Sequence, residues 1–187
     1  MTLSIAFKEW AVICRALAEG RQSLILRKGG IAEEGGQFRP EHDRFLLYPT
    51  HFHEQHRTGI EPDLLPLLES VERDKPTPGT IHFTHFVAVS NVWHVADLDK
   101  ALALEALHGW TADEVTKRFR YRSPGLYVLA VRAYRLAEAL EAVEKPEYAG
   151  CKTWVTLDTA IATNGAASVL TDEAFAAALE QINRALS

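Results

Sequence analysis

The run Leu126-Tyr127-Val128-Leu129-Ala130-Val131 carries an apolar or aromatic side chain at every position, so a strand built from it has no face to give to water. Such a strand is stable inside a sheet covered on both sides, and that requirement dominates what the chain can become. The 187 residues supply the covering layers. They amount to about one domain at roughly 150 residues per domain, enough to bury a core without disulfide or metal staples. At 47% hydrophobic and 24% charged residues the composition is that of an ordinary folded domain rather than a disordered, collagen-like or coiled-coil chain.

Around this strand the periodicities predict a mixed domain. A β-rich run from Trp10 to Leu17, a turn at Ala18 to Arg21 and a return run Ser23 to Arg27 read as a hairpin. Residues 29 to 43 read as a loop, and Arg44 to Tyr48 as a strand closed by Pro49. Asp63 is placed to cap a helix with Pro66 in its first turn and Leu64, Leu67, Leu68 and Val71 on one face. Residues 80 to 95 read as a long strand, with Ile81, Phe83, Val87 and Val89 on one face, and with His82 and His85 on opposite faces.

Helices are expected from Leu98 to Leu107 behind Asp97, from Thr111 in a capping box with Glu114, and from Thr171 along Phe175, Ala178, Leu179, Ile182 and Leu186. Gly150 to Leu157 is a shorter strand candidate. The sum is a single α+β domain of about six strands and four helices. Its core covers about residues 5 to 160, and a C-terminal helix covers about 171 to 186.

Charge narrows the choice of partners. The net charge of -5 gives no global positive field to draw in nucleic acid, so such binding has to come from local cations. Cys14 and Cys151 sit in apolar surroundings without CxxC spacing and read as buried thiols. The N-terminal stretch interrupts its apolar residues with Lys8, Glu9 and Arg15, and no run reaches the ~18 apolar residues of a spanning helix. The expectation is a cytoplasmic protein with no membrane partner and no cofactor.

Catalytic signatures are mostly subtracted. There is no GxSxG elbow, no GxxxxGK[ST] loop and no GxGxxG after a strand, and none of the lysines follows an acid by two residues as in the common restriction-nuclease core. Three features remain. Arg27 and Lys28 precede Gly29 and Gly30, and a double glycine lets backbone amides approach an anion closely, though any tight turn uses the same residues. Replacing both cations is expected to weaken binding and leave the melting temperature nearly unchanged, as for exposed turn cations.

His51, His53 and His56 cluster around Glu54, and with His82 or His85 they could ligate a metal or serve acid-base chemistry. Their spacing is not that of a metalloprotease helix, since Arg57 stands four residues after His53. Lys117, Arg118, Arg120 and Arg122 interleave with Phe119 and Tyr121 as a secondary basic patch; cations at a helix C-terminus are favoured by the helix dipole in any case. Trp10, Trp93, Trp110 and Trp154 read as packing residues, with Trp154 also a binding candidate beside Lys152.

Several segments together resemble a bacterial family, domain of unknown function 1802: AFKEWAVICRAL (6 to 17), LILRKGGI (24 to 31), FLLYPT (45 to 50) with His53 soon after, LYVLAVRAYRL (126 to 136) and YAGCKTWVTL (148 to 157). The resemblance does not reach the C-terminal helix. It implies an association with nuclease-type domains and thereby with restriction-modification or defence systems, without naming a reaction. By analogy of shape the early hairpin, scattered helices and late arginine-bearing strand look like a small, partly closed PUA-like β-barrel with peripheral helices.

Three functions compete on these grounds. The first is a nucleic-acid or anion-binding module using Arg27, Lys28, Gly29, Gly30, His53, Arg132, Lys152 and Trp154, and it requires the Arg27 turn and the end of the Phe45 to Thr50 strand to lie side by side. The second is a metal-dependent or acid-base hydrolase using the His51 to His56 cluster. The third is a structural or oligomeric partner-binding protein using its C-terminal helix.

Overall fold

The computed structural model describes the backbone of residues 1–28, 31–34, 37–40, 42–51, 54–150 and 152–187, and the side chains of 1–28, 42–51, 57–150 and 152–187. Gly29, Gly30, His53 and Cys151, and the side chain of His56, lie outside the described residues.

In chain order the elements are β1 (Thr2–Trp10), α1 (Ala11–Ala18), β2 (Leu24–Arg27), β3 (Ile31–Glu34), β4 (Gln37–Pro40), β5 (Arg44–Thr50), α2 (Leu65–Arg73), β6 (Thr80–Val95), α3 (Leu98–Leu102), α4 (Ala112–Arg120), β7 (Leu126–Val143), β8 (Trp154–Ala162), β9 (Ala167–Ser168) and α5 (Asp172–Leu186). Short 3-10 turns join several of them. The protein is a mixed domain built on one main sheet in the order β2-β7-β6-β5-β1-β8, with β9 beside β7 and a separate β3-β4 ladder. Every pairing in the main sheet is antiparallel except β1 with β5, which run parallel from Ala6↔Leu46 to Trp10↔Thr50.

Leu126 to Val131 lie where their composition requires, paired on both sides between β2 and β6, one strand in from the edge of the sheet. A first core cluster covers this end and takes in residues of all five α-helices. A second cluster is built from strand residues and Tyr148 alone, joining Leu3, Leu46, Ile81, Phe83, Val155 and Ile161. The sheet does not close into a barrel. Side chains bridge its open side instead: Arg27 at the end of β2 donates to Thr153 just before β8, and Lys145 after β7 pairs with Asp158 on β8.

The first predicted hairpin does not form. Residues 11–18 are helical, with Ala11, Val12, Ile13, Cys14, Ala16 and Leu17 all buried. The β-branched Val12 and Ile13 suggested a strand, but packing of α1 against α2 and β5 outweighs so weak a propensity, and the alanines favour the helix. The strand lies earlier, as β1.

Helix caps follow the sequence in three places: Asp97, Thr111 and Thr171 accept from the backbone N–H of Asp99, Glu114 and Ala174. Asp63 does not cap α2. It sits in a 3-10 turn, Pro62–Leu64, and Leu64 occupies the cap position.

A change of register reorganises the long hairpin of β6 and β7. Phe83 pairs with Leu140, but His85 pairs with Arg135, leaving residues 136 to 139 opposite a single residue of β6. The parity of β6 inverts there. Ile81 and Phe83 join the second cluster while Val87 and Val89 join the first, so the predicted single apolar face is divided. His82 and His85, expected on opposite faces, line one cleft for the same reason.

Candidate functional site

β1 and β5 end side by side at Trp10 and Thr50, and the carboxyl ends of parallel strands leave a recess where the chain turns away. A cleft of about 650 Å³ opens at this place, and Arg27, Tyr48, Thr50, Lys75, Lys152 and Thr153 are among its lining residues. Arg27 therefore shares a cleft with the end of the Phe45 to Thr50 strand, as the single-site reading required.

Arg27 is not an exposed turn cation. Only 19% of its side chain is accessible. Its Nη1 lies 3.6 Å from Oε2 of Glu9, whose side chain is 1% accessible, and its Nη2 donates to Thr153 Oγ1 at 2.8 Å. The guanidinium also lies 4.6 Å from the Phe7 ring centroid. Burial pulls the Arg27 pKa down, the Glu9 carboxylate opposes that shift, and the Arg118 charge adds to it. Glu9 Oε1 accepts from the Trp10 N–H at 2.8 Å, and the Glu9 carbonyl accepts from Thr50 Oγ1 at 2.9 Å. One buried ion pair thus holds the ends of β1, β2 and β5 and the approach to β8 in register.

Lys28 serves α4. Its ammonium donates to the carbonyls of Phe119 at 3.0 Å, Gly125 at 2.7 Å and Ser123, so all three of its protons satisfy backbone acceptors at the helix end.

The remaining cations of the cleft divide by what holds them. Lys8 donates to the carbonyls of Tyr148 and Gly150 and lies 5.3 Å from the Tyr48 ring centroid. Tyr48 Oη donates to Glu144 Oε1 at 3.0 Å, and burial first, then this carboxylate, pushes its pKa up. Among the described residues Lys152 reaches one carbonyl, that of Glu147, at 3.3 Å. Lys75, exposed between Asp74 and Pro76, makes no hydrogen bond or ion pair among the described residues. His51 stands at the edge of the cleft; burial lowers its pKa, Lys75 and His82 lower it further, and Glu72 opposes them, so the ring is neutral at pH 7.

Other sequence candidates lie elsewhere. Arg132, on β7, pairs with Asp172 and donates to the Leu170 carbonyl at 3.4 Å, fastening α5 to the sheet. Trp154 packs edge-on against Phe7 at 4.8 Å and Phe45 at 5.0 Å. The basic patch divides. Arg118 lies 3.7 Å from the Trp110 ring centroid and donates to Glu114 at 2.7 Å, while Lys117, Arg120 and Arg122 are exposed. Phe119 is core.

Cys14 is buried, and burial raises its pKa, with Glu9 adding to the rise. No group of three His, Cys, Asp or Glu side chains is arranged to hold a metal among the described residues. His53 and the His56 side chain fall outside that set.

Lys8, Glu9, Lys75 and Thr153 were not singled out in the sequence. Nothing local announces that the segment from Lys75 into the start of β6 forms a wall of the cleft.

An open mixed sheet with a cation-lined cleft at the ends of its parallel pair defines the class of protein. Residues 6–181 match the family described as Domain of unknown function (DUF1802), and the chain belongs to that family. The match extends through most of α5, beyond the segments that carried the resemblance in the sequence. No curated protein and no solved structure matches the chain. No helix is long and apolar enough to cross a membrane among the described residues.

Proposed function

We propose that the chain is a nucleic-acid-binding module whose phosphate-contacting surface is the cleft at the ends of β1 and β5. One observation supports this reading above the others. Lys8, Arg27, Lys75 and Lys152, from four separate segments, face one cleft in a protein whose net charge is -5; among the described residues Glu144 is the carboxylate in its wall, with Glu9 paired to Arg27 behind it.

The roles within the cleft differ. Arg27, its charge balanced by Glu9, and Lys8 are held by protein acceptors and give the cleft its shape, and Lys8 adds a fixed positive charge. Lys75 and Lys152 are exposed and take phosphate oxygens. Trp10 and Tyr48 supply apolar wall for sugar or base, and the volume falls in the ~300–1,000 Å³ range of ligand sites. Lys28 is left out because its protons are taken. The resemblance to proteins associated with nuclease-type domains extends the proposal to a restriction-modification or defence setting, in which the module presents a nucleic acid to a partner that cuts or modifies it.

The test is an anisotropy titration of a labelled single-stranded octanucleotide at low salt against wild type and the Lys75→Ala, Lys152→Ala double variant. Both side chains are exposed, so folding is retained. The proposal expects binding that the double variant weakens by about tenfold or more, in line with the loss of two phosphate contacts. Absent binding by the wild type, or equal binding by both proteins, contradicts it.

A further inference from the structure

The cleft at the strand ends is not the only recess beside His51. A second, of about 680 Å³, lies between α1, the β6–β7 bulge and β9, and Arg15, His82, His85 and Arg135 are among the residues lining it. Pro49, His51 and Pro76 line both recesses, so the two adjoin across a saddle formed by these three residues. Each by itself is large enough for one small ligand. Together they suit a longer one.

The second recess is lined by two arginines, Arg15 and Arg135, and two carboxylates, Glu19 and Asp74, and the cation it offers a ligand is Arg135. Arg15 is held by Asp74 at 2.9 Å and Glu19 at 4.0 Å, and His82 Nε2 by Glu141 at 2.7 Å. His85 Nδ1 lies 2.8 Å from Thr84 Oγ1. Arg135 is exposed and makes no hydrogen bond or ion pair among the described residues. Arg15 and Arg135 line the same recess as His85, and burial, then Arg135, then Arg15 push the His85 pKa down to about 4.

The saddle supplies a contact for a base. His51 is neutral at pH 7, so its imidazole stacks without adding charge, and its Nδ1 is buried with no hydrogen-bond partner among the described residues. Closed to solvent and unpartnered, this nitrogen costs the free protein stability, and the ring face is what the saddle offers a base.

From this continuity we infer that the two recesses form one groove for single-stranded nucleic acid, which crosses His51 with a base on the imidazole, a phosphate at each of Lys75 and Lys152, and a further phosphate at Arg135. This rests on the nucleic-acid reading of the first cleft and adds the strandedness and path of the ligand. Stacking platforms and local cations are how single strands are held without a strong overall field. A duplex carries its phosphates on the outside of a wide cylinder, unsuited to recesses on either side of a saddle.

The experiment titrates wild type, Arg135→Ala, His51→Ala and His51→Phe with labelled thymidine dinucleotide, thymidine octanucleotide, the matching ribo-octanucleotide and a blunt duplex. Melting curves are recorded for each variant. The octanucleotide is expected to bind more tightly than both the dinucleotide and the duplex. Arg135→Ala is expected to weaken the octanucleotide by about threefold or more and leave the dinucleotide unchanged. His51→Ala is expected to weaken it by about fivefold or more, and His51→Phe to retain it through stacking.

The deoxy and ribo arms identify the natural strand. If Arg135→Ala binds the octanucleotide like wild type, or the duplex binds as tightly, the groove is overturned while the first cleft stands through its lysine variants. If no oligonucleotide binds wild type, both readings fall. Should His51→Ala not fold, Arg135→Ala, on an exposed strand position, still decides.

Discussion

The Arg27 guanidinium lies 3.6 Å from a Glu9 carboxylate that is 1% accessible, and its second Nη donates to Thr153 at 2.8 Å. The side chain expected to contact a ligand from an exposed turn thereby acts as a fastener between the first and last strands of the sheet path. Removing either partner leaves a charge in a site with little water, at a cost of about 3–5 kcal/mol. Arg27→Ala and Glu9→Ala are each expected to lose that much in urea unfolding, against the unchanged melting temperature that an exposed cation predicts. Arg27→Met with Glu9→Gln removes both charges and keeps an acceptor for the Trp10 N–H, and it is expected to be more stable than either single alanine variant.

Lys28 is expected to matter for α4 and not for ligand binding. Lys28→Ala strips the donor from the carbonyls of Phe119, Ser123 and Gly125, costing about 1–3 kcal/mol. The measurement is the urea midpoint at unchanged m-value, alongside an oligonucleotide titration in which the affinity stays that of wild type. A loss of affinity without a loss of stability contradicts this division of labour.

What the sequence disclosed depended on whether the signal was local. Leu126 to Val131 carry their two-sided burial in their composition, and Thr111 and Thr171 carry their caps in theirs. The helix 11–18 was hidden because six of its eight residues are buried, which erases the stripe that distinguishes a helix from a buried strand. The inversion at His85 comes from extra residues in β7, a different segment, so no reading of β6 alone could find it. The site was half visible for the same reason. Arg27 and Lys152 stood in motifs, but the Glu9 pairing and the approach of Lys75 are made by tertiary structure.

His108 sets an acid limit. It is 7% exposed, its Nδ1 accepts from the Trp110 N–H at 3.1 Å, and burial with the nearby Arg118 charge lowers its pKa to about 4. The unfolded chain takes up this proton near pH 6.5, while the folded chain refuses it until about pH 4. Stability is therefore fully present above pH 6.5 and is lost as pH falls towards 4, by up to roughly 3 kcal/mol. His85, lowered for similar reasons to about 4, acts in the same direction with a smaller share because its ring is more open to water. His108→Asn keeps an acceptor for the Trp110 N–H without the titration. Urea unfolding at pH 7 and pH 5 is expected to show a smaller pH difference for this variant than for wild type.

The central claim is that a few local cations, and no overall field, bring nucleic acid to the cleft. Its most direct test is the salt dependence of single-strand affinity for wild type and the Lys75→Ala, Lys152→Ala variant. Two to four phosphate contacts predict a slope of log affinity against log salt of about -1.4 to -2.8, falling in magnitude by about 1.4 when both lysines are removed. A wild-type slope near zero, or one that the double variant leaves unchanged, contradicts the claim.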